Sequence, residues 1–165
     1  MKKTSRGPAT TRSANERLRS FVAKFEPKDQ RLIRAVRSAL RRRLPTAFEL
    51  VYDNYNFFVI GYGPTERPSD AVLSIAAGTS GVGICFIHGA KLPDPEGILL
   101  GGGKQTRFVR VPSVSILKQP AVHALIDAAV TRGKDFPASG RGELIIRSVS
   151  ARQRPRRRQA RTGVA

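Results

Sequence analysis

Residues 71–90, AVLSIAAGTSGVGICFIHGA, carry no charged side chain if His88 is neutral, and this stretch constrains the fold more than any other. Twenty uncharged residues are nominally enough to span a bilayer as a helix. Glycines at 78, 81, 83 and 89 interrupt it, and Gly78-Thr-Ser-Gly81 falls midway, as a hairpin turn does. Two strands, Ala71–Ala77 and Gly81–His88, explain the spacing, and no membrane span is expected.

The neighbouring sequence extends this into a sheet. Phe48–Asp53, Tyr55–Tyr62, Thr106–Val111 and Glu143–Ser150 read as further strands, bounded by Gly, Pro, Ser or Asn. In KDQRLIRAVRSALRRRL, Lys28–Leu44, apolar residues 32, 33, 36, 40 and 44 share one helical face, and Arg31, Arg34, Arg37 and Arg41 project from the other. Pro27 and Pro45 punctuate that helix. Pro120–Arg132 reads as another helix, stopped by Gly133, and an earlier one is expected to begin near Ser13. Helices before and after hairpin-connected strands imply an α+β fold: an antiparallel sheet of five to six strands with helices packed on one face.

Charge is unevenly placed. Residues 1–44 hold 14 Lys/Arg against 3 Asp/Glu, residues 45–140 hold 8 against 8, and residues 141–165 hold 8 against 1. Residues 45–140 are thus net neutral between basic flanks, and the expectation is a folded α+β domain over residues 13–150 with two disordered basic ends, residues 1–12 and 151–165. The second end carries Arg152, Arg154, Arg156, Arg157, Arg158 and Arg161, which are candidate nucleic-acid contacts. Such charge attracts polyanions in general, so nucleic acid, an acidic protein or an anionic surface are partner classes. One cysteine, Cys85, allows no internal disulfide, and no apolar stretch follows the N-terminal lysines. A cytoplasmic location is therefore expected.

Local motifs for catalysis are absent. The stretch DPEGILLGGGKQTRFVRV, Asp94–Val111, fails as a Walker loop because Ile98 and Gln105 stand where glycine and a hydroxyl are needed. It fails as a dinucleotide fingerprint because Thr106 stands at the third glycine and a strand follows. Its simpler reading is a glycine turn leading into a strand. A sharper reading is an anion site made from the amides of Gly101–Gly103 with Lys104 and Arg107, where Asp94 pairs with a partly buried Arg107. Cys85 and His88 should point to opposite sides of their strand, His88 sharing a face with Val82, Ile84 and Phe86, so no metal site and no cofactor are expected. No Gly-x-Ser-x-Gly elbow occurs, and no catalytic residue is assigned. The aromatic run from Tyr52 to Phe58 suits sheet core, with Tyr55 and Asn56 as candidate stacking positions.

The order of features in ICFIHGAKLPDPEGILLGGGKQTRFVRV, Ile84–Val111, resembles the YdhG-like family, a bacterial domain of unknown function, over about Pro27 to Val130. The resemblance implies a frataxin-like α+β fold. For some members it also implies iron handling by carboxylates on the first helix and strand, yet Lys28–Leu44 has seven basic residues and one acid. The leading expectation is a non-enzymatic binding module whose basic ends contact an anionic partner. The alternatives are a frataxin-like iron chaperone and an enzyme using the Asp94–Arg107 loop.

Overall fold

A computed structural model describes residues 8–158, with side chains from residue 13 onward. Its elements are α1 (Pro8–Val22), α2 (Pro27–Arg43), β1 (Phe48–Asp53), β2 (Phe58–Gly63), β3 (Leu73–Gly78), β4 (Gly81–Phe86), β5 (Arg107–Arg110), α3 (Pro120–Arg132) and β6 (Leu144–Val149). Short 3-10 turns interrupt the connections at Pro68–Asp70, Gly89–Lys91 and Val114–Lys118. The strands form one sheet in the order β5-β4-β3-β2-β1-β6.

Strand register explains which side the helices cover. Ile146, Val51, Ile60, Ile75, Ile84 and Val109 lie in one row across all six strands, each facing the next in register. Branched and aromatic side chains suit a pleated surface, and alternation puts this whole row on the same face. Ile33, Val36 and Leu40 of α2, Leu18 and Phe21 of α1, and Val122, Leu125 and Ile126 of α3 pack into the same buried cluster. Phe58 packs against the first helix and the turn after it, with ring centroids 6.3 Å from Phe21 and 6.0 Å from Phe25. The α2 stripe expected from residues 32, 33, 36, 40 and 44 is the one that packs. Among the described residues no helix is long and apolar enough to cross a membrane.

Four expectations need correction. The sheet is mixed: β1 pairs antiparallel with β2 but parallel with β6, because the chain crosses over through α3 and adds its last strand at the open edge of β1. Helix α1 begins at Pro8 rather than near Ser13, so residues 8–12 of the expected disordered arm are helical, and residues 1–7 lie outside the described residues. Strand β2 begins at Phe58, leaving Tyr55, Asn56 and Phe57 in the turn before it. Strand β4 ends at Phe86, so His88 is an exposed residue leading into a 3-10 turn rather than the end of an apolar strand face.

Candidate nucleic-acid interface

The expected disordered tail is instead packed as far as it is described. Ser150 N donates to Asp53 O at 2.9 Å and Arg154 N to Tyr55 O at 2.8 Å, so the backbone after β6 follows the β1–β2 turn. Gln153 Nε2 donates to Asp53 O at 2.8 Å, and Gln153 Oε1 accepts from Lys24 Nζ at 2.9 Å. Polar contacts rather than apolar burial hold this strap.

Its anchor is Asp53, whose side chain is fully buried. Lys24 Nζ, in the turn between α1 and α2, donates to Oδ2 at 2.6 Å, and Arg156 Nη2 donates to Oδ1 at 2.9 Å and to Asn54 O at 2.5 Å. Burial opposes ionisation of Asp53, but hydrogen bonds from Lys24, Arg156 and Gln153 outweigh it and hold the carboxyl below its ordinary range. Arg156 is itself only 2% exposed, with Nε and Nη1 buried and unpartnered. Of the six tail arginines named above, Arg156 is therefore a structural cation, and Arg161 lies outside the described residues.

The remaining four arginines, Arg152, Arg154, Arg157 and Arg158, are exposed. Beside them the β1–β2 turn presents Tyr55 and Phe57, each 49% exposed. Arg154 stacks with its guanidinium 5.6 Å above the Tyr55 ring. Phe57 lies against Gly78, where an added Cβ would approach the ring to 3.1 Å, so that glycine gives the ring its resting place. A depression of about 330 Å³ continues from Arg158 past the β3–β4 turn to Lys28 of α2 and Arg110 of β5. Arginines, lysines and half-exposed rings on one end of a sheet supply what a nucleic-acid strand needs: cations for phosphates and flat apolar faces for bases.

The Asp94–Arg107 loop is arranged differently. Asp94 accepts from the amides of Ile98 and Leu99, both at 3.0 Å, and does not pair with Arg107, which corrects that expectation. A carboxylate preceding a turn finds local amides before it finds a distant guanidinium. Arg107 Nη1 donates instead to Gly103 O and Thr106 O. Leu100 and Phe108 exchange both backbone hydrogen bonds, at 2.8 and 2.9 Å, which closes the glycine run as a turn. Gly101 adopts φ +113°, and Gly89 packs so tightly that a Cβ would come within 2.6 Å of the Arg107 side chain. Gly101, Gly103 and Lys104 are exposed on this turn, at the β5 edge of the sheet, whereas the strap lies beside β1 near its opposite edge.

Other reactive groups are dispersed. Cys85 faces Ser74 across the β3–β4 pair, and burial pushes its thiol up despite the Ser74 hydrogen bond. His123 lies 3.2 Å from Asp127, which also binds Arg43. Among the described residues no three His, Cys, Asp or Glu side chains group as metal ligands.

The sequence reading missed Lys24 and Gln153, and it missed the buried carboxylates that organise both ends of β1. The usable signal was Glu49-Leu-Val-Tyr-Asp53: two carboxylates on the same strand face as core Val51 require cationic partners. In comparisons with known proteins, no family model matches the chain, and neither a curated protein nor a solved structure matches it.

Proposed function

We propose that this chain is a non-enzymatic binding module that holds single-stranded nucleic acid against the end of the sheet made by the β1–β2 turn and the C-terminal strap. The observation that carries this reading is the exposed Tyr55 ring with Arg154 stacked over it, beside Phe57 and three more exposed arginines. An aromatic ring left half in solvent is available for stacking on a base. The strap fixes the arginines next to those rings, so less entropy is lost on binding than from a free tail.

A YdhG-like kinship with a frataxin-like fold belongs to the same proposal and rests on the Ile84–Val111 pattern together with helices on one face of the sheet. The iron-handling alternative fits less well, because both β1 carboxylates already serve basic side chains: Glu49 binds Arg37, and Asp53 binds Lys24 and Arg156. The Asp94–Arg107 loop supports an enzyme less well for a similar reason, since its carboxylate and guanidinium both bind the loop's own backbone.

The test is fluorescence anisotropy with a labelled single-stranded oligonucleotide across a salt series, comparing the wild type with Tyr55→Ala and with the quadruple Arg152, Arg154, Arg157 and Arg158→Ala variant. Four phosphate contacts should contribute about 3 to the slope of log affinity against log salt, and the quadruple variant should lose that share. Unchanged affinity and slope in both variants would overturn the proposal.

A further inference from the structure

The opposite end of β1 carries a second basic surface, separate from the strap and the aromatic turn. Glu49 is 4% exposed, and its oxygens accept from Arg37 Nε and Nη2, both at 2.9 Å, and from the Tyr62 hydroxyl at 2.9 Å. Arg41 Nε lies 3.6 Å from the same carboxylate. Pairing through Nε and Nη2 uses one edge of the Arg37 guanidinium and leaves Nη1 to donate elsewhere. One buried acid thus fixes two arginines side by side.

Arg17 of α1 and Arg141, just before β6, join them around a groove of about 510 Å³. A second depression of about 560 Å³ continues it past Arg34 and Arg42 on the outside of α2. Six arginines therefore line this surface against two carboxylates, Glu49 and Glu143. Arg34 donates to Gln30 and Arg42 to Ser38, neither of which carries charge. Among the described residues, Arg17 and Arg141 have no carboxylate within ion-pair distance, so four of the six lack an acidic partner. The wall holding Arg141 is fixed by Gly142, where an added Cβ would lie 1.7 Å from Ala47 O, so Arg141 stands on a segment pressed against the chain entering β1.

We propose that this groove binds a polyphosphate group, meaning two or more linked phosphates. Guanidinium forks match phosphate oxygens in pairs, and spreading several arginines along a groove favours an extended multiple anion over a single one. Neither depression is lined by an aromatic ring, so it reads charge rather than a base. The group could be a free polyphosphate or the 5′-triphosphate end of a strand, and both present the same chemistry.

The test is isothermal titration of the full chain at 150 mM salt, about physiological ionic strength, with inorganic triphosphate, orthophosphate, and two oligonucleotides that differ only in a 5′-triphosphate or 5′-hydroxyl. Triphosphate should bind saturably at one site and orthophosphate at least about tenfold more weakly. Losing two charge-assisted contacts in Arg17→Ala/Arg141→Ala should weaken triphosphate by about tenfold or more. The exposed pair Arg67→Ala/Arg132→Ala should leave it unchanged, as should Tyr55→Ala, which separates this site from the aromatic interface. Given triphosphate binding, a 5′-triphosphate strand that outbinds its 5′-hydroxyl counterpart assigns the site to strand ends, and equal binding assigns it to free polyphosphate. Absence of saturable triphosphate binding, or equal loss in the Arg67/Arg132 pair, overturns the proposal.

Discussion

Glu49 and Asp53 lie four residues apart on one face of β1, both buried, yet the chain neutralises them by different routes. Glu49 is served from nearby in sequence: Arg37 and Tyr62 are 12 and 13 residues away. Asp53 depends on Lys24, 29 residues before it, and on Arg156, 103 residues after it. Arg37 remains 21% exposed, whereas Arg156 is 2% exposed. The Glu49 end is completed by the α2–β1–β2 unit alone. The Asp53 end is completed only when the last described segment folds back, so stability and the proposed binding surface are tied together there.

Removing charge from the two acids should break that symmetry most visibly. Asp53→Asn leaves Arg156 buried without a counter-charge, and a loss of about 3–5 kcal/mol is expected in urea denaturation. Glu49→Gln should cost less, about 2–3 kcal/mol, because Arg37 and Arg41 can turn toward water. Equal losses would mean that the strap adds nothing to the burial of Asp53. The pH dependence follows the same contrast. Because the folded-state pKa of Asp53 is depressed, its contribution is present above the unfolded value of about 3.9 and disappears as pH falls through the lower folded value. Thermal scans between neutral pH and strong acid should show this loss in the wild type and a flatter profile in Asp53→Asn.

The next effect concerns binding without stability. Tyr55→Ala should weaken single-stranded nucleic acid by about 1–3 kcal/mol, the usual value of one stacked base. Denaturation midpoints should barely move, since Tyr55 is half exposed. Loss of stability instead of affinity would make Tyr55 part of the packing. The smallest effect is expected at Lys104→Ala, within about 0.5 kcal/mol in stability and with no change in strand binding, because Lys104 stands exposed on a turn closed by its own backbone.

What the sequence disclosed, and what it hid, follows from the range of the interactions. Helix α3 matches the reading Pro120–Arg132 at both ends because an apolar stripe, a starting proline and a stopping glycine are all local signals. Gly78–Gly81 is the turn its spacing implied, and the Gly101–Gly103 run does turn the chain into β5. The strap was hidden because its composition is that of an unfolded arginine tail, and what orders it is a carboxylate some hundred residues away. The parallel direction of β6 was hidden too, since hydrophobic alternation gives a strand but not the side from which it joins a sheet. The helical spacing only places Arg37 and Arg41 opposite the apolar stripe; their attachment to Glu49 was foreseeable only by asking what a strand does with a buried acid.

Amide hydrogen exchange at Ser150 and Arg154 tests the central claim most directly, because those two N–H groups tie the strap to Asp53 and Tyr55. Protection well above the rate of an unstructured peptide is expected in the wild type, with loss of that protection in Asp53→Asn while the β3–β4 amides stay protected. Free-peptide exchange at both positions in the wild type would contradict a folded strap, and with it the surface on which nucleic acid is proposed to bind.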